Sequence, residues 1–287
     1  MHSALLYLSI GVLAISGLIW CGCSDQHPME PSPIQPDRDR LRVRITNGVY
    51  LQLDSMKSVY SLDERIHGHL VIVNESDSVP YIQQMSGPPS HFFLVADRYD
   101  SLVYFYPLAP GLSESTDTLN VGDRIAGKIN WTQNIWSATD MISGLKAFSG
   151  TYRIDAGFFR TGRAATKWIT LSESGNPLSS AIQADYESVD SVLFVFVLRN
   201  RITQPLNHAL RPDPFVVTFT QNHDTVLVEH VSGVVPLPIP PASDNIVFRY
   251  GRAITDSAFA GFSGSYDITG EVRFQDTTVT GTTFFWF

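Results

Sequence analysis

The chain has 287 residues, 44% of them hydrophobic and 11% aromatic but only 17% charged, a balance that suits a β-rich extracytoplasmic protein better than a helical cytosolic one. A formal net charge of −8 argues against a nucleic-acid partner, which needs a surplus of Lys and Arg, and offers no polybasic patch for anionic lipid. Both cysteines, Cys21 and Cys23, lie near the start, so the body of the chain has no disulfide, thiolate nucleophile or cysteine metal ligand.

Residues 4–20 are almost wholly apolar and run into Cys21-Gly22-Cys23-Ser24-Asp25. This resembles a bacterial lipoprotein signal, in which a cysteine becomes the lipidated first residue. Cys23 follows Gly22, the small residue cleavage needs; Cys21 has Leu18 three residues ahead but bulky Trp20 beside it. The expected signal peptide is therefore residues 1–22, with lipidation at Cys23 and Cys21 as the alternative. An uncleaved anchor is the competing outcome, because an apolar run of about 17 residues is near the lower limit for spanning a bilayer. The implied location is the cell envelope, extracytoplasmic and held to a membrane by its lipid. Residues 23–40, with Pro28, Pro31, Pro33 and Pro36, read as a disordered tether.

Folded structure is expected from Leu41. Val43 and Ile45 alternate with Arg42 and Arg44, and Asn47-Gly48 then predicts a hairpin onto Val49, Leu51 and Leu53. Further strands are predicted over 65–73, closing on Asn74, over 91–96, 102–106 and through Ile125, Ile129 and Trp131. A loop over 83–90, stiffened by Pro88 and Pro89, is expected between strands. Residues 172–180 read as a linker. A second series follows over 192–198, 215–220, 226–229 and 246–250, with a Pro-rich loop over 203–214.

One stretch occurs twice. Phe148-Ser149-Gly150-Thr151-Tyr152-Arg153-Ile154 returns as Phe262-Ser263-Gly264-Ser265-Tyr266-Asp267-Ile268, at an offset of 262 − 148 = 114 residues. Both copies alternate strictly, which marks a strand with one face on a core. Gly150 and Gly264 sit where a turn needing positive φ feeds the strand, and Tyr152 and Tyr266 where a hydroxyl can bond back to that turn. The expected fold is all-β: two tandem immunoglobulin-like sandwiches over 41–175 and 179–287.

Residues 49–160 resemble the BsuPI-type intracellular proteinase inhibitor domain. The resemblance rests on Leu70-Val71-Ile72-Val73-Asn74, on Phe92 to Asp100 leading to Leu102-Val103-Tyr104, on Gly122 to Trp131, and on Gly150-Thr151-Tyr152. Asp100-Ser101 stands where that family usually has Asp-Gly. The resemblance implies an immunoglobulin-like sandwich and, by its name, protease inhibition; the matching positions are core and turn positions and carry no inhibitory residue.

Chemical motifs are sparse. His67 and His69 leave one face of a strand, as a zinc pair would, with His91 as a third candidate ligand. Asp97 and Asp100 suit either a calcium site or a plain turn. His223-Asp224 and Glu229-His230 sit at a turn and a strand end. Gly261-Phe262-Ser263-Gly264-Ser265 lacks the last glycine of a nucleophile elbow and precedes a strand instead of a helix. Trp131, Trp136 and Phe284 to Phe287 suit sugar stacking or core packing. The expectation is a non-enzymatic envelope protein with no cofactor and no metal, binding or scaffolding an unidentified protein, with a protease as one candidate. The alternatives are a proteinase inhibitor presenting a Pro-rich loop, with Gln84, Met85, Pro88 and Pro89 or Pro205, Leu206 and Pro212 as contacts, and a carbohydrate-binding module.

Overall fold

In the computed structural model, which describes residues 39–86, 91–106, 114–135, 144–188, 191–253, 257–259 and 261–287, Arg42–Thr46 (β1) and Val49–Asp54 (β2) close a hairpin on Asn47-Gly48. Gly48 takes φ +70°, and a Cβ there would lie 2.5 Å from Ser76 Cα, so both the turn and its neighbour demand glycine. Val59–Ser61 (β3), Ile66–Asn74 (β4), Tyr81–Ser86 (β5), His91–Asp97 (β6) and Leu102–Tyr106 (β7) follow. Glu114–Leu119 (β8), Arg124–Trp131 (β9), Gly150–Phe158 (β10) and Ala165–Ser172 (β11) complete the first half. Its sheets run β1-β2-β4-β9 and β3-β11-β10-β6-β7, with β5 and β8 as a separate two-stranded ribbon.

The second half contains Leu178–Ser188 (β12), Ser191–Asn200 (β13), Leu210–Gln221 (β14), Asp224–His230 (β15), Ser243–Ala253 (β16), Ser265–Phe274 (β17) and Thr278–Trp286 (β18). Its sheets are β12-β13-β16 and β15-β14-β17-β18. Strand for strand this repeats the first half. The set β2, β4, β9 answers to β12, β13, β16, and β7, β6, β10, β11 to β15, β14, β17, β18. The fold is two tandem immunoglobulin-like β-sandwiches of one topology, with β1, β3 and the ribbon added to the first. The strand β12 starts at Leu178, so only residues 173–177 separate the last strand of one sandwich from the first of the next, fewer than the linker expected over 172–180.

The repeated stretch lies where its alternation puts it. Tyr152, Ile154, Ala156 and Phe158 on β10 are buried, as are Tyr266, Ile268, Val272 and Phe274 on β17. Gly150 and Gly264 have φ +144° and +86°. Tyr152 donates its hydroxyl to Phe148 O at 2.9 Å, while the Tyr266 hydroxyl accepts from Ser263 N at 3.2 Å. Each sandwich has its own core. The first packs Leu51, Ile66, Leu70, Phe93 and Ile154 around Trp131; the second is phenylalanine-rich, with Phe194, Phe196, Phe219 and Phe274. Each such side chain contributes about 1.5–3 kcal/mol on burial.

A buried asparagine ends the second core strand of each sandwich. The Asn74 amide donates to Val79 O and Leu119 O, both at 2.9 Å, and its Oδ1 accepts from Ser76 N at 3.0 Å. The Asn200 amide donates to Gln204 O at 2.8 Å and Pro240 O at 2.9 Å, and its Oδ1 accepts from Ile202 N at 3.2 Å. Each therefore ties the loop it opens to the loop leading into a later strand that pairs with its own, β9 for β4 and β16 for β13. The ribbon β5-β8 grows from this tie in the first sandwich, and the Leu206–Ile239 bridge takes its place in the second.

The sandwiches meet through a polar junction. Arg201, 0% exposed, donates to Ala147 O at 2.9 Å, Asp63 Oδ1 at 2.8 Å and Gln133 Oε1 at 2.6 Å. Gln133 in turn donates to Ser61 O at 2.8 Å and Glu64 O at 2.7 Å. Beside it Arg199 forms a two-pronged pair with Asp244, both contacts at 2.6 Å, donates to Lys146 O at 2.8 Å and lies over the Phe148 ring. Leu145 packs on Ala181 and Val197. Buried guanidinium groups held by several bonds to the other sandwich favour one packing of the two sandwiches over a free hinge.

Candidate functional site

The Asp39 carboxylate accepts from Lys167 Nζ at 2.7 Å and Trp168 N at 2.9 Å. Arg40 exchanges backbone bonds with Thr166 at 2.8 and 3.0 Å. Cys21 and Cys23, Pro88, Pro89 and Trp136 lie outside the described residues. Among the described residues no helix is long and apolar enough to cross a membrane.

Neither candidate loop has the extent expected. Gln84 and Met85 belong to strand β5, opposite Thr116 and Ser115 of β8, so the segment 83–86 is ladder and not loop. Its polar Gln-Gln sequence hides a strand whose partner lies in a distant connection. Pro212 is within β14, where the register is interrupted between Leu210 and Phe215; prolines cannot donate to a ladder and sit at such interruptions. Leu206 is half-buried against the second core and exchanges backbone bonds with Ile239 at 2.8 and 3.1 Å, whereas Pro205 and Pro212 are both exposed.

The histidines diverge. His67 and His69 point outward from β4, while His91 Nε2 lies 2.9 Å from Lys128 O and its ring packs over Gly127. Among the described residues no three His, Cys, Asp or Glu side chains come together as a metal site. Asp97 Oδ1 accepts from Tyr99 N and Ser101 N, both at 2.9 Å, and Asp100 pairs with Arg153 at 2.6 Å, so these carboxylates close a turn. Asn222 and His223 form the positive-φ turn between β14 and β15. Ser263 lies in the turn into β17.

The aromatic residues separate into two groups. Trp131 is fully buried, and Phe285 and Phe287 pack with the second core. Phe284 and Trp286, by contrast, are 61% and 64% exposed on the outward face of β18. Across the sheet, Trp286 is opposite Ser265, and Phe284 is in a row with Asp267 and Thr220. Thr282, Thr269, Thr218 and Val228 form the next row, with the Thr269 and Thr282 hydroxyls 3.3 Å apart. Beyond it Glu271 is neutralised by Arg273 at 2.7 Å. The face thus offers two large aromatics, short hydroxyl side chains and the carboxylate of Asp267.

A second face was hidden by the net charge. On the outward side of β1-β2-β4-β9, the row Arg44, Tyr50, Val73, Arg124 is followed by Arg42, Gln52, Val71, Ala126 and then by Asp54, His69, Lys128. Exposed Arg65 stands just ahead of β4. Contrary to the expectation from the totals, the fold collects four Arg and Lys side chains on one sheet face and a fifth at its margin. Strand alternation and sheet order do this across more than eighty residues of sequence, which no local count detects.

No family model matches the chain, and no curated protein matches it. Among solved structures, a Salmonella alpha-2-macroglobulin mutant aligns over 87% of this chain and 16% of its own, at 11% identity and TM-score 0.34. Red sea bream transglutaminase aligns over 84% and 31% respectively, at 12% identity and TM-score 0.25. A Listeria innocua beta-glucosidase aligns over 44% and 16%, at 12% identity and TM-score 0.29. The chain spans about a third or less of the length of each of these structures.

Proposed function

We propose that this is a non-catalytic, lipid-anchored protein of the cell envelope whose tandem sandwiches bind or scaffold another protein. The observation that carries the proposal is the exposed pair Phe284 and Trp286 on a sheet face of the second sandwich. Large aromatics bury much area for few rotatable bonds and dominate the energy of protein contacts. The buried junction supports it, since a face held in one packing loses little entropy on binding. In this reading residues 1–22 are the signal, Cys23 carries the lipid and residues 23–40 are the tether. The BsuPI-like character of the first sandwich then contributes a scaffold and not an inhibitory loop, because Gln84, Met85 and Leu206 are engaged in pairing.

The double variant Phe284→Ala/Trp286→Ala tests it. Truncating exposed side chains costs folding stability within about 0.5 kcal/mol. Loss of a contact of this kind weakens a complex by about 2 kcal/mol or more, roughly thirtyfold. A native complex recovered from membranes and unaffected by the double variant would overturn the assignment of this face.

A further inference from the structure

We propose that the outward face of β1-β2-β4-β9 docks on the anionic lipid headgroups of a membrane, laying the first sandwich against the bilayer instead of holding it away. Arg42, Arg44, Arg124 and Lys128 share the face with one carboxylate, Asp54; at its margin stand Arg65 and Glu75, the latter paired with Arg42. Four cations therefore share the face itself with one carboxylate, in a chain whose formal net charge is −8. Among the described residues no carboxylate pairs with Arg65, Arg124 or Lys128, and Arg44 is held by Asn47 and Thr46 O, neutral acceptors. Tyr50 and Gln52 between the cations add groups suited to the headgroup layer.

The equivalent face of the second sandwich is occupied, which isolates the property. There Val197 and Ala181 are covered by Leu145, and Arg199 is neutralised by Asp244. The first sandwich leaves the same sheet open. An open sheet face suits an extended anionic surface better than a groove would, and each cation near such a surface gains about 1 kcal/mol at physiological ionic strength. The chain enters this sheet through β1, three residues after Asp39. The sixteen steps from Cys23 to Asp39 span at most about 58 Å fully extended, so an anchored chain keeps the face within reach of its own membrane. The inference deepens the lipid-anchored reading, and its test separates the two.

The full-length chain is partitioned into phosphatidylcholine vesicles with and without phosphatidylglycerol as about a third of the lipid, from low salt to about 0.5 M NaCl. An apolar or lipidated N-terminal segment contributes equally to both compositions, so the ratio of partition coefficients isolates the charged face. We expect a ratio of about ten or more at low salt, collapsing to about one at high salt. Arg44→Glu/Arg124→Glu/Lys128→Glu, all at exposed positions, should bring the ratio to one or below at low salt. Arg163→Glu/Arg249→Glu, exposed elsewhere, should leave it high. A native ratio near one, a ratio indifferent to the triple reversal, or the same triple instead abolishing binding of an RNA oligonucleotide would overturn the inference. Failure of the anchor alone appears differently, as weak partition into phosphatidylcholine with the ratio intact.

Discussion

Arg201 Nη2 donates to Gln133 Oε1 at 2.6 Å across the junction of the two sandwiches, with both side chains fully buried. Each is the other's link to further groups. Through Arg201, Gln133 is tied to Ala147 O and Asp63; through Gln133, Arg201 is tied to the carbonyls of Ser61 and Glu64. One pair of side chains therefore favours one packing of the two sandwiches and of the faces they carry.

Removing one partner leaves buried groups unsatisfied. Arg201→Ala should cost about 3–5 kcal/mol and Gln133→Ala about 1–3 kcal/mol, with the double variant less than additive. Calorimetry of Arg201→Ala should show the two sandwiches melting separately. A single unaltered transition would mean that Arg201 is not what couples them.

Expressed alone, residues 41–175 and 179–287 should each keep a cooperative β-sheet melt, because the two cores share no residue. Each should melt below the intact chain, since the first loses Arg201 and the second loses Pro177 O, which accepts from Arg201 N at 2.8 Å. Circular dichroism decides it: an unfolded fragment would show that its core depends on the other half.

Burial pushes the Tyr152 phenol up to about 12, opposed in part by Arg199. A phenol raised from its ordinary value near 10 keeps its proton in the folded state while the unfolded chain releases it. Its contribution is thus complete below about pH 10 and is lost as pH rises toward 12, by about 2–3 kcal/mol in all. Tyr152→Phe should flatten that part of the alkaline stability profile, while losing about 1 kcal/mol at neutral pH with the bond to Phe148 O. Chemical denaturation of both forms between pH 9 and 12 reads the difference directly.

What was legible in the sequence follows from one-sided burial. The strand β10 and its repeat β17 alternate because one face meets a core and the other water, and Asn47-Gly48 announces its own turn. The strand β12 was missed because Ser179, Ser180, Ala181 and Ile182 are all buried, between the core on one side and the junction on the other, so no alternation shows. The ribbon β5-β8 was missed because Tyr81 finds its partner Leu119 in another connection altogether. Phe284 and Trp286 were legible as aromatics, but only the register of β18 separates them from buried Phe285. Arg124 and Lys128 gave no sign of joining Arg42 and Arg44, because net charge sums over faces that the fold keeps apart.

The proposed anchor has a direct chemical test. Acyl chains contribute about 0.8 kcal/mol per buried methylene, so several give stable attachment. Cys23→Ala should abolish incorporation of a labelled fatty acid and free the protein from membranes, while Cys21→Ala should change little. Label lost from Cys21→Ala and kept by Cys23→Ala would move the lipid two residues back; no label in the native chain would refute lipidation.

The binding function itself is tested most directly by a photo-crosslinking residue placed at Thr282, in the threonine row beside Phe284, in the full chain in its native membranes, with one at exposed Val121 as the control. The account predicts a discrete protein adduct from position 282, none from 121, and its disappearance when Phe284 and Trp286 are both alanine. Adducts absent from 282, or formed equally from 121, would contradict it.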